Sequence, residues 1–409
     1  MANVVYKATA DIVSKGVTLM VTVAAARVLP AADFGVLALA MTTGWILSVA
    51  SDAGLPLFLA KRVAGMTGAA MPPSFGAIAS VMRVRATFGA VAALAGLTIG
   101  AIVAPSSLLV AFGLIVTAQL LNAILETLSH AYRGMGRADV ESRLVIAQRG
   151  VTGAAALATL LLWPSLPALA VALAMPPAIA LVASLGIART LADARDRRAD
   201  AALSRARFMR EAAPIGAGIL LSALYFRCDV YFLHWWYGLE TVGTYNAAFR
   251  IVEALRLFPA AVLAVAFPAL CGAGDGRPLK RLILLLGAGG AAAAAAVYVS
   301  APIVLNVLYG PRFGDAVAAL RILALALPLF FVNYALTHQL IAWDGQRSYL
   351  AVAAIALIAS LVANTMLIPV SGMAGAATST LLTEVTVAAG CAVALRRTAR
   401  NPSLAGSVA

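Results

Sequence analysis

The sequence predicts an all-α integral membrane protein of about twelve transmembrane helices in two pseudo-symmetric six-helix lobes. Three observations lead there. The 409 residues are 62% hydrophobic and only 11% charged, with a mean hydropathy of +0.94, outside the range of water-soluble globular chains. Apolar segments of about 20 residues, each long enough to cross a hydrocarbon layer of about 30 Å as a helix, recur along the whole chain. The first hairpin of each half also turns in a similar way. Arg27-Val-Leu-Pro-Ala-Ala-Asp-Phe-Gly-Val36 and Tyr237-Gly-Leu-Glu-Thr-Val-Gly-Thr-Tyr245 both place a small or polar turn before a glycine near an aromatic, as a parallel internal repeat would.

Breaks at Gly, Pro and charge clusters divide the chain into spans at 8–28, 35–59, 84–104, 108–131, 144–163, 168–189, 212–236, 242–270, 282–306, 317–342, 348–368 and 373–395. Lys7 and Lys15 ahead of the first apolar run resemble a secretory leader, but the same pattern recurs as the first of many spans, so no cleavage is expected. An even number of spans puts both termini on one side. Lys and Arg gather in alternate loops, with Lys61, Arg62, Arg133, Arg137, Arg143, the stretch from Arg189 to Arg210, Arg277, Lys280, Arg281, Arg347 and the tail on one side. The opposite loops hold essentially Arg312, with Arg27 near the surface, so the positive-inside bias places both termini in the cytoplasm. This alternation also accounts for the net charge of +13 without invoking nucleic acid as a partner.

The domain plan follows from the longest loop. An N-terminal six-helix lobe covers residues 1–190, a cytoplasmic amphipathic linker 191–211, a C-terminal six-helix lobe 212–396 and a cytoplasmic tail 397–409. The linker mixes Arg with Asp at helical spacing, as a solvated connector or a lipid-headgroup contact would. Cys228, Cys271 and Cys391 are too scattered for a disulfide framework, and His130, His234 and His338 lack ligand spacing, so no metal is expected. No phosphate-binding loop of the P-loop type occurs, and no cofactor is expected.

Ionisable residues inside spans are costly and are functional candidates by default. The hairpin from Tyr225 to Leu257 carries five: Arg227, Asp229, Arg250, Glu253 and Arg256. Counted from its turn, Asp229 and Arg250 each lie about ten residues away, roughly 15 Å, near the bilayer midplane, where they can pair. Arg227 and Glu253 match in the same way. Asn246, Arg250, Glu253 and Arg256 share one helical stripe, as the wall of an aqueous cavity would. Arg227 and Asp229, two residues apart, point to nearly opposite faces. The same charges also fit an ion-pair lattice that only fixes packing.

Asp11 and Lys15 are one turn apart, with Asp52 at matching depth on the return helix, a candidate cytoplasmic gate or a plain interfacial salt bridge. Glu126 and Glu384 are candidate proton carriers or isolated hydrogen-bonded acids, and Arg149, Arg321 and Asn364 are further polar residues in or near spans. The Trp235-Trp236-Tyr237 run reads as an interfacial aromatic anchor.

Arg27 to Val36, Asp52-Ala-Gly-Leu55 with Lys61-Arg62, Asp229, Val242-Gly-Thr-Tyr-Asn-Ala-Ala248, Pro259, Pro268, Leu308-Tyr-Gly-Pro-Arg-Phe313, Asn364, Ile368-Pro369 and Gly372-Met-Ala-Gly-Ala376 occur in an order spanning most of the chain. This order resembles the polysaccharide-type flippases of the multidrug/oligosaccharidyl-lipid/polysaccharide exporter superfamily. The resemblance implies two lobes around a central cavity, and alternating access that carries an undecaprenyl-pyrophosphate-linked oligosaccharide across a bacterial inner membrane for exopolysaccharide or O-antigen assembly. It implies no catalysis. Arg227, Asn246, Arg250 and Arg256 would meet the substrate, with Asp229 and Glu253 as charge partners. Expected partners are the lipid-linked glycan, the bilayer and polysaccharide-assembly proteins. The alternatives are a cation-coupled multidrug exporter of the same superfamily and a membrane enzyme, a polymerase or acyltransferase, acting on the lipid-linked glycan.

Overall fold

The computed structural model describes residues 2–52, 55–56, 75–191, 205–272, 277–343 and 345–400, and gives the backbone alone for 2–12, 77, 205–215, 264–265, 267–272, 277–278 and 398–400. Lys61, Arg62, most of the expected linker and the extreme tail lie outside the described residues, as does the side chain of Asp11. Among the described residues every regular element is helical.

The chain divides into two compact units, Met1–Ala217 and Gly218–Ala409. In the first unit, α1 (Ala2–Val28) stops before Pro30, whose fixed φ and missing N–H suit the start of the next helix, α2 (Ala31–Ala50). α3 (Phe75–Val103) leads through a 3-10 turn at Ser106–Leu108 into α4 (Leu109–Gly134). α4 ends where Gly136 takes a positive φ of 73°. α5 (Ala138–Leu162) then begins six residues before the expected position of 144, because Asp139 and Glu141 suit the positive end of a helix dipole and extend it. α6 (Leu166–Leu191) completes the unit and carries Pro176 and Pro177 within it.

The second unit takes in the end of α7 (Arg205–Arg227), followed by α8 (Asp229–Leu255), α9 (Leu257–Gly272), α10 (Arg277–Tyr309), α11 (Ala316–Leu325), α12 (Leu327–Ala342) and α13 (Gln346–Arg400). α8 and α13 are each two arms joined at one non-helical glycine, Gly238 (φ 79°, ψ −175°) and Gly372 (φ 52°, ψ −126°). α11 and α12 form one broken span bent by 43°. Pro328 has no N–H to return to the preceding turn, which accounts for the bend.

Among the described residues eight helical stretches are long and apolar enough to cross a membrane, nine with the bent pair. Two of them, Gly216–Leu263 and Gln346–Arg397, run to 48 and 52 residues and contain the glycine folds, so a tally of stretches is lower than the tally of arms. Trp235, Trp236 and Tyr237 are exposed beside the Gly238 fold, as an interfacial anchor requires.

Both units use one packing scheme. In the first, α4 packs on α6, α2 and α3, and α1 on α5; in the second, α12 packs on α13 and α10, α11 on α8, and α8 on α13. The polar fastenings repeat as well. Tyr132 on α4 donates to the Ser184 carbonyl on α6 at 2.6 Å, and Asn333 on α12 donates to the Glu384 carboxylate on α13 at 2.7 Å. Apolar clusters flank each fastening, built around Leu128, Tyr132 and Ala188 in one unit and Leu336, Val387 and Cys391 in the other. The internal repeat is therefore carried by packing much more than by residue identity.

The folds at Gly238 and Gly372 lie against each other, since Tyr237 donates to the Pro369 carbonyl at 3.0 Å and its ring covers Gly372. Both backbone conformations are sparsely populated by residues with a Cβ, which raises the cost of substitution to about 1–3 kcal/mol each. Gly238→Ala and Gly372→Ala are expected to lower the thermal midpoint of the purified protein by several degrees. Gly150→Ala, at an exposed helical position with open space around its Cβ, should leave it unchanged or raise it.

Candidate functional site

The hairpin singled out by its charges lies wholly in the second unit, and its side chains meet in an arrangement different from the one expected. The helix is interrupted at Cys228, between the last residue of α7 and the first of α8. That break relaxes the 100° phase rule, so Arg227 and Asp229 both reach the same returning arm of α8. Arg227, 4% exposed, donates from Nη2 to Asn246 Oδ1 at 2.8 Å and lies over the Phe249 ring at 4.3 Å. Asp229, 3% exposed, accepts from the Tyr245 hydroxyl at 2.6 Å and from the Val230 N–H at 2.9 Å.

The expected cross-helix pair of Asp229 with Arg250 does not form. Arg250 instead donates from Nη1 to Glu253 Oε2 at 2.7 Å, one turn along its own arm. The i,i+3 spacing keeps these two side chains adjacent on the helix surface, whereas Asp229 already has both oxygens engaged. For Arg227, expected opposite Glu253, the hydrogen bond goes to Asn246. Arg256, which ends the arm, stacks on Phe226 at 4.0 Å and Phe330 at 5.1 Å. Phe226 also packs edge-on against Phe249 at 5.1 Å, so one aromatic cluster supports Arg227 on one flank and Arg256 on the other. Such faces attract guanidinium groups while leaving their N–H edges free to point elsewhere.

Exposure separates the candidates. The side chains of Arg250 and Glu253 are 14% and 29% exposed, whereas Arg227, Asp229 and Asn246 are sealed in the protein. Arg250, Glu253 and Arg256 are the charges that a ligand can reach. Asn364 and Ser360, on the first arm of α13, close a further polar contact with Cys228, at 3.4 Å each. Glu384 is a buried acid satisfied by Asn333.

In the first unit, Lys15 is exposed on α1 and no ion pair joins it to Asp52. The charged groups that Asp52 feels are Arg85 and Glu126. Arg85 escaped the sequence reading. It is 1% exposed and fastens three helices, donating to Ser51 Oγ at 2.6 Å, to Thr127 Oγ1 at 3.2 Å and to the Ser48 carbonyl at 3.2 Å. A signal for it does exist in the sequence. Arg83 and Arg85 are two apart on one helix, so a helix packed on one side must bury one of them. Arg83 is the exposed member.

No group of three or more His, Cys, Asp or Glu side chains that could hold a metal ion occurs among the described residues.

No curated protein matches the chain. Among solved structures, the inward-facing conformation of a multidrug resistance MATE family transporter of the MOP superfamily is similar, with a TM-score of 0.74 at 16% identity over 97% of this chain and 96% of that one. The outward-facing conformation of such a transporter gives 0.66 at 15% identity, covering 99% and 97%. A MOP superfamily transporter from Pyrococcus furiosus, described as having a binding pocket of reverse polarity, gives 0.67 at 14% identity, covering 97% and 95%. These likenesses concern the fold. The family follows from the sequence model for polysaccharide biosynthesis proteins, which matches residues 1–272. The chain thus belongs to the polysaccharide biosynthesis protein family and has the fold of the MOP superfamily of membrane transporters.

Proposed function

We propose that this chain is a flippase that moves an undecaprenyl-pyrophosphate-linked oligosaccharide across the bacterial inner membrane by alternating access. The observation that carries the reading is the half-exposed Arg250, paired with Glu253 and flanked by the ring-stacked Arg256, within helices of membrane-crossing length. A guanidinium fork matches phosphate oxygens with several charge-assisted donors. Glu253 occupies Arg250 when no substrate is present, and a diphosphate replaces one anion by another at the same fork. The charge of the site therefore changes little as substrate enters and leaves, which keeps binding reversible. Arg227, sealed against Asn246 and Phe249, acts as a positioning residue that holds the returning arm and adds positive field. Both termini and the basic loops face the cytoplasm on this reading.

A second reading is a cation-coupled drug exporter, favoured by the multidrug transporters that share the fold. Three arginines in one hairpin disfavour an organic cation as the cargo. Sealed vesicles carrying the full-length protein separate the two. Lipid-linked glycan that reaches the opposite leaflet without covalent change supports the flippase; release of a covalently altered product points instead to an enzyme.

Arg250→Gln removes charge-assisted hydrogen bonds of about 1.5–3 kcal/mol, so the flipping rate at low substrate should fall roughly 10- to 100-fold with folding intact. Wild-type rates in that variant would exclude Arg250 from the site. The pair of Asp229 and Tyr245 has a different expected signature. Tyr245→Phe leaves a buried carboxyl short of a donor, which costs about 1–3 kcal/mol. It should lower the thermal midpoint while sparing the flipping rate per folded molecule, and adding Asp229→Asn should cost less than the sum of the two single changes.

A further inference from the structure

One arginine takes no part in the hairpin site. Arg321 lies in α11, inside the broken span, and is only half-buried. Its Nε donates to the Tyr298 carbonyl on α10 at 3.2 Å, and its guanidinium carbon lies 5.3 Å from the centre of the Tyr298 ring. Its remaining guanidinium N–H groups make no hydrogen bond to any described residue. An unneutralised cation within a membrane span is expensive unless an anion meets it.

Beside it is a cleft of about 420 Å³, lined by Ala291, Ala294, Ala295, Tyr298, Leu325 and Pro328. Alanines on α10 and the proline bend between α11 and α12 create this space, since no large side chain fills the widening gap. Its volume falls in the range of clefts that hold small molecules. The lining is almost wholly apolar, and Tyr298, which bounds it, is the residue that Arg321 grips. Apolar space with a cation at one end matches an amphiphile with an anionic head and an alkyl tail.

The directions also agree. Arg321 lies about eight residues past the Pro311–Phe313 turn, on the half of the membrane nearest that turn, while the cleft extends from Tyr298 toward Ala291, away from it. Side chains on a helix lean toward its N-terminus, here toward the same membrane surface. Snorkelling of the long arginine stem and local thinning of the bilayer bring guanidinium and headgroup together.

We propose that Arg321 and the cleft between α10 and the α11–α12 bend form a binding site for an anionic glycerophospholipid of the leaflet nearest the Pro311–Phe313 turn, with the phosphate on Arg321 and one acyl chain in the cleft. The site is separate from the hairpin of Arg250 and does not depend on what that hairpin transports. An uncharged or zwitterionic lipid fills the cleft less well, because its head offers Arg321 no net charge.

The test uses full-length protein in nanodiscs of phosphatidylcholine with a minor fraction of phosphatidylglycerol, transferred to detergent and analysed by native mass spectrometry for retained lipid. Wild type should retain phosphatidylglycerol in preference to phosphatidylcholine. Arg321→Gln should reduce that retention about tenfold, as the loss of one charge-assisted contact does. Ala295→Trp, which puts a large side chain into the cleft at an exposed position, should reduce it at least as much while Arg321 is kept. Arg312→Gln, on the neighbouring turn, should leave retention as in wild type. Circular dichroism and size-exclusion profiles confirm folding of each variant, and Ala291→Leu replaces Ala295→Trp if the tryptophan disturbs it. Equal retention of the two lipids by wild type, or undiminished phosphatidylglycerol in Arg321→Gln, overturns the proposal. Polyprenyl phosphate retained in place of phosphatidylglycerol, in discs that contain both, also overturns it and gives the cleft to an isoprenoid.

Discussion

A polar group that enters a helix bundle in lipid must find its partner inside the protein, because no water is there to supply one. The fold is organised by that requirement. Tyr132 with Ser184, and Asn333 with Glu384, each join a central helix of a unit to its last helix at equivalent places in the packing scheme. Arg85 joins α2, α3 and α4, and Asp229 with Tyr245 joins the two arms of a hairpin. Apolar packing alone gives little direction in a bilayer, since lipid tails are as apolar as leucine. These few directional contacts therefore select which helix faces meet.

The architecture was legible because hydropathy acts over twenty residues at a time, and errors of a few residues cancel. Membrane-length helices and the paired folds at Gly238 and Gly372 appear close to where glycine, proline and charge placed them. The start of α5 did not, since the window that finds an apolar span discounts the acidic first turn that in fact begins the helix. Side-chain partners were less legible still. Depth counted from a turn places Asp229 and Arg250 at one level, but depth does not fix azimuth, and Arg250 had a closer partner at Glu253. The pairing of Asp229 with Tyr245 was hidden because a tyrosine in an apolar run reads as packing. Arg85 was missed because it lies where a basic residue is expected to end a span and face water.

Exposure turns the charged hairpin from a set of equivalent candidates into a graded one. A sealed guanidinium such as Arg227 changes partners only if the helices around it move, whereas Arg250 and Glu253 exchange partners at a surface. Binding at an exposed pair costs less desolvation than insertion into a closed one. This grading also explains why ring contacts accumulate on Arg227 and Arg256, where Phe249, Phe226 and Phe330 cover guanidinium faces and leave the edges to hydrogen-bonding partners.

The fully buried charges share a further property. Arg85 hydrogen-bonds to two hydroxyls and a carbonyl, and Asp229 to a phenol and an amide N–H, so each is fastened by neutral groups and neither forms a direct salt bridge. A charge closed into a salt bridge loses most of its field at a distance, while one held by neutral dipoles keeps it. Asp52 and Glu126 feel Arg85 across the first unit, and Arg227 feels Asp229, Arg250 and Glu253 across the second. A transporter of anionic cargo benefits from that choice, because fixed fields steer the cargo without offering a contact ion that must be broken at each cycle. Replacing the fastening hydroxyls by carboxylates would stabilise the buried arginine locally and cancel the field, which is a reason for the hydroxyls beyond their contribution to packing.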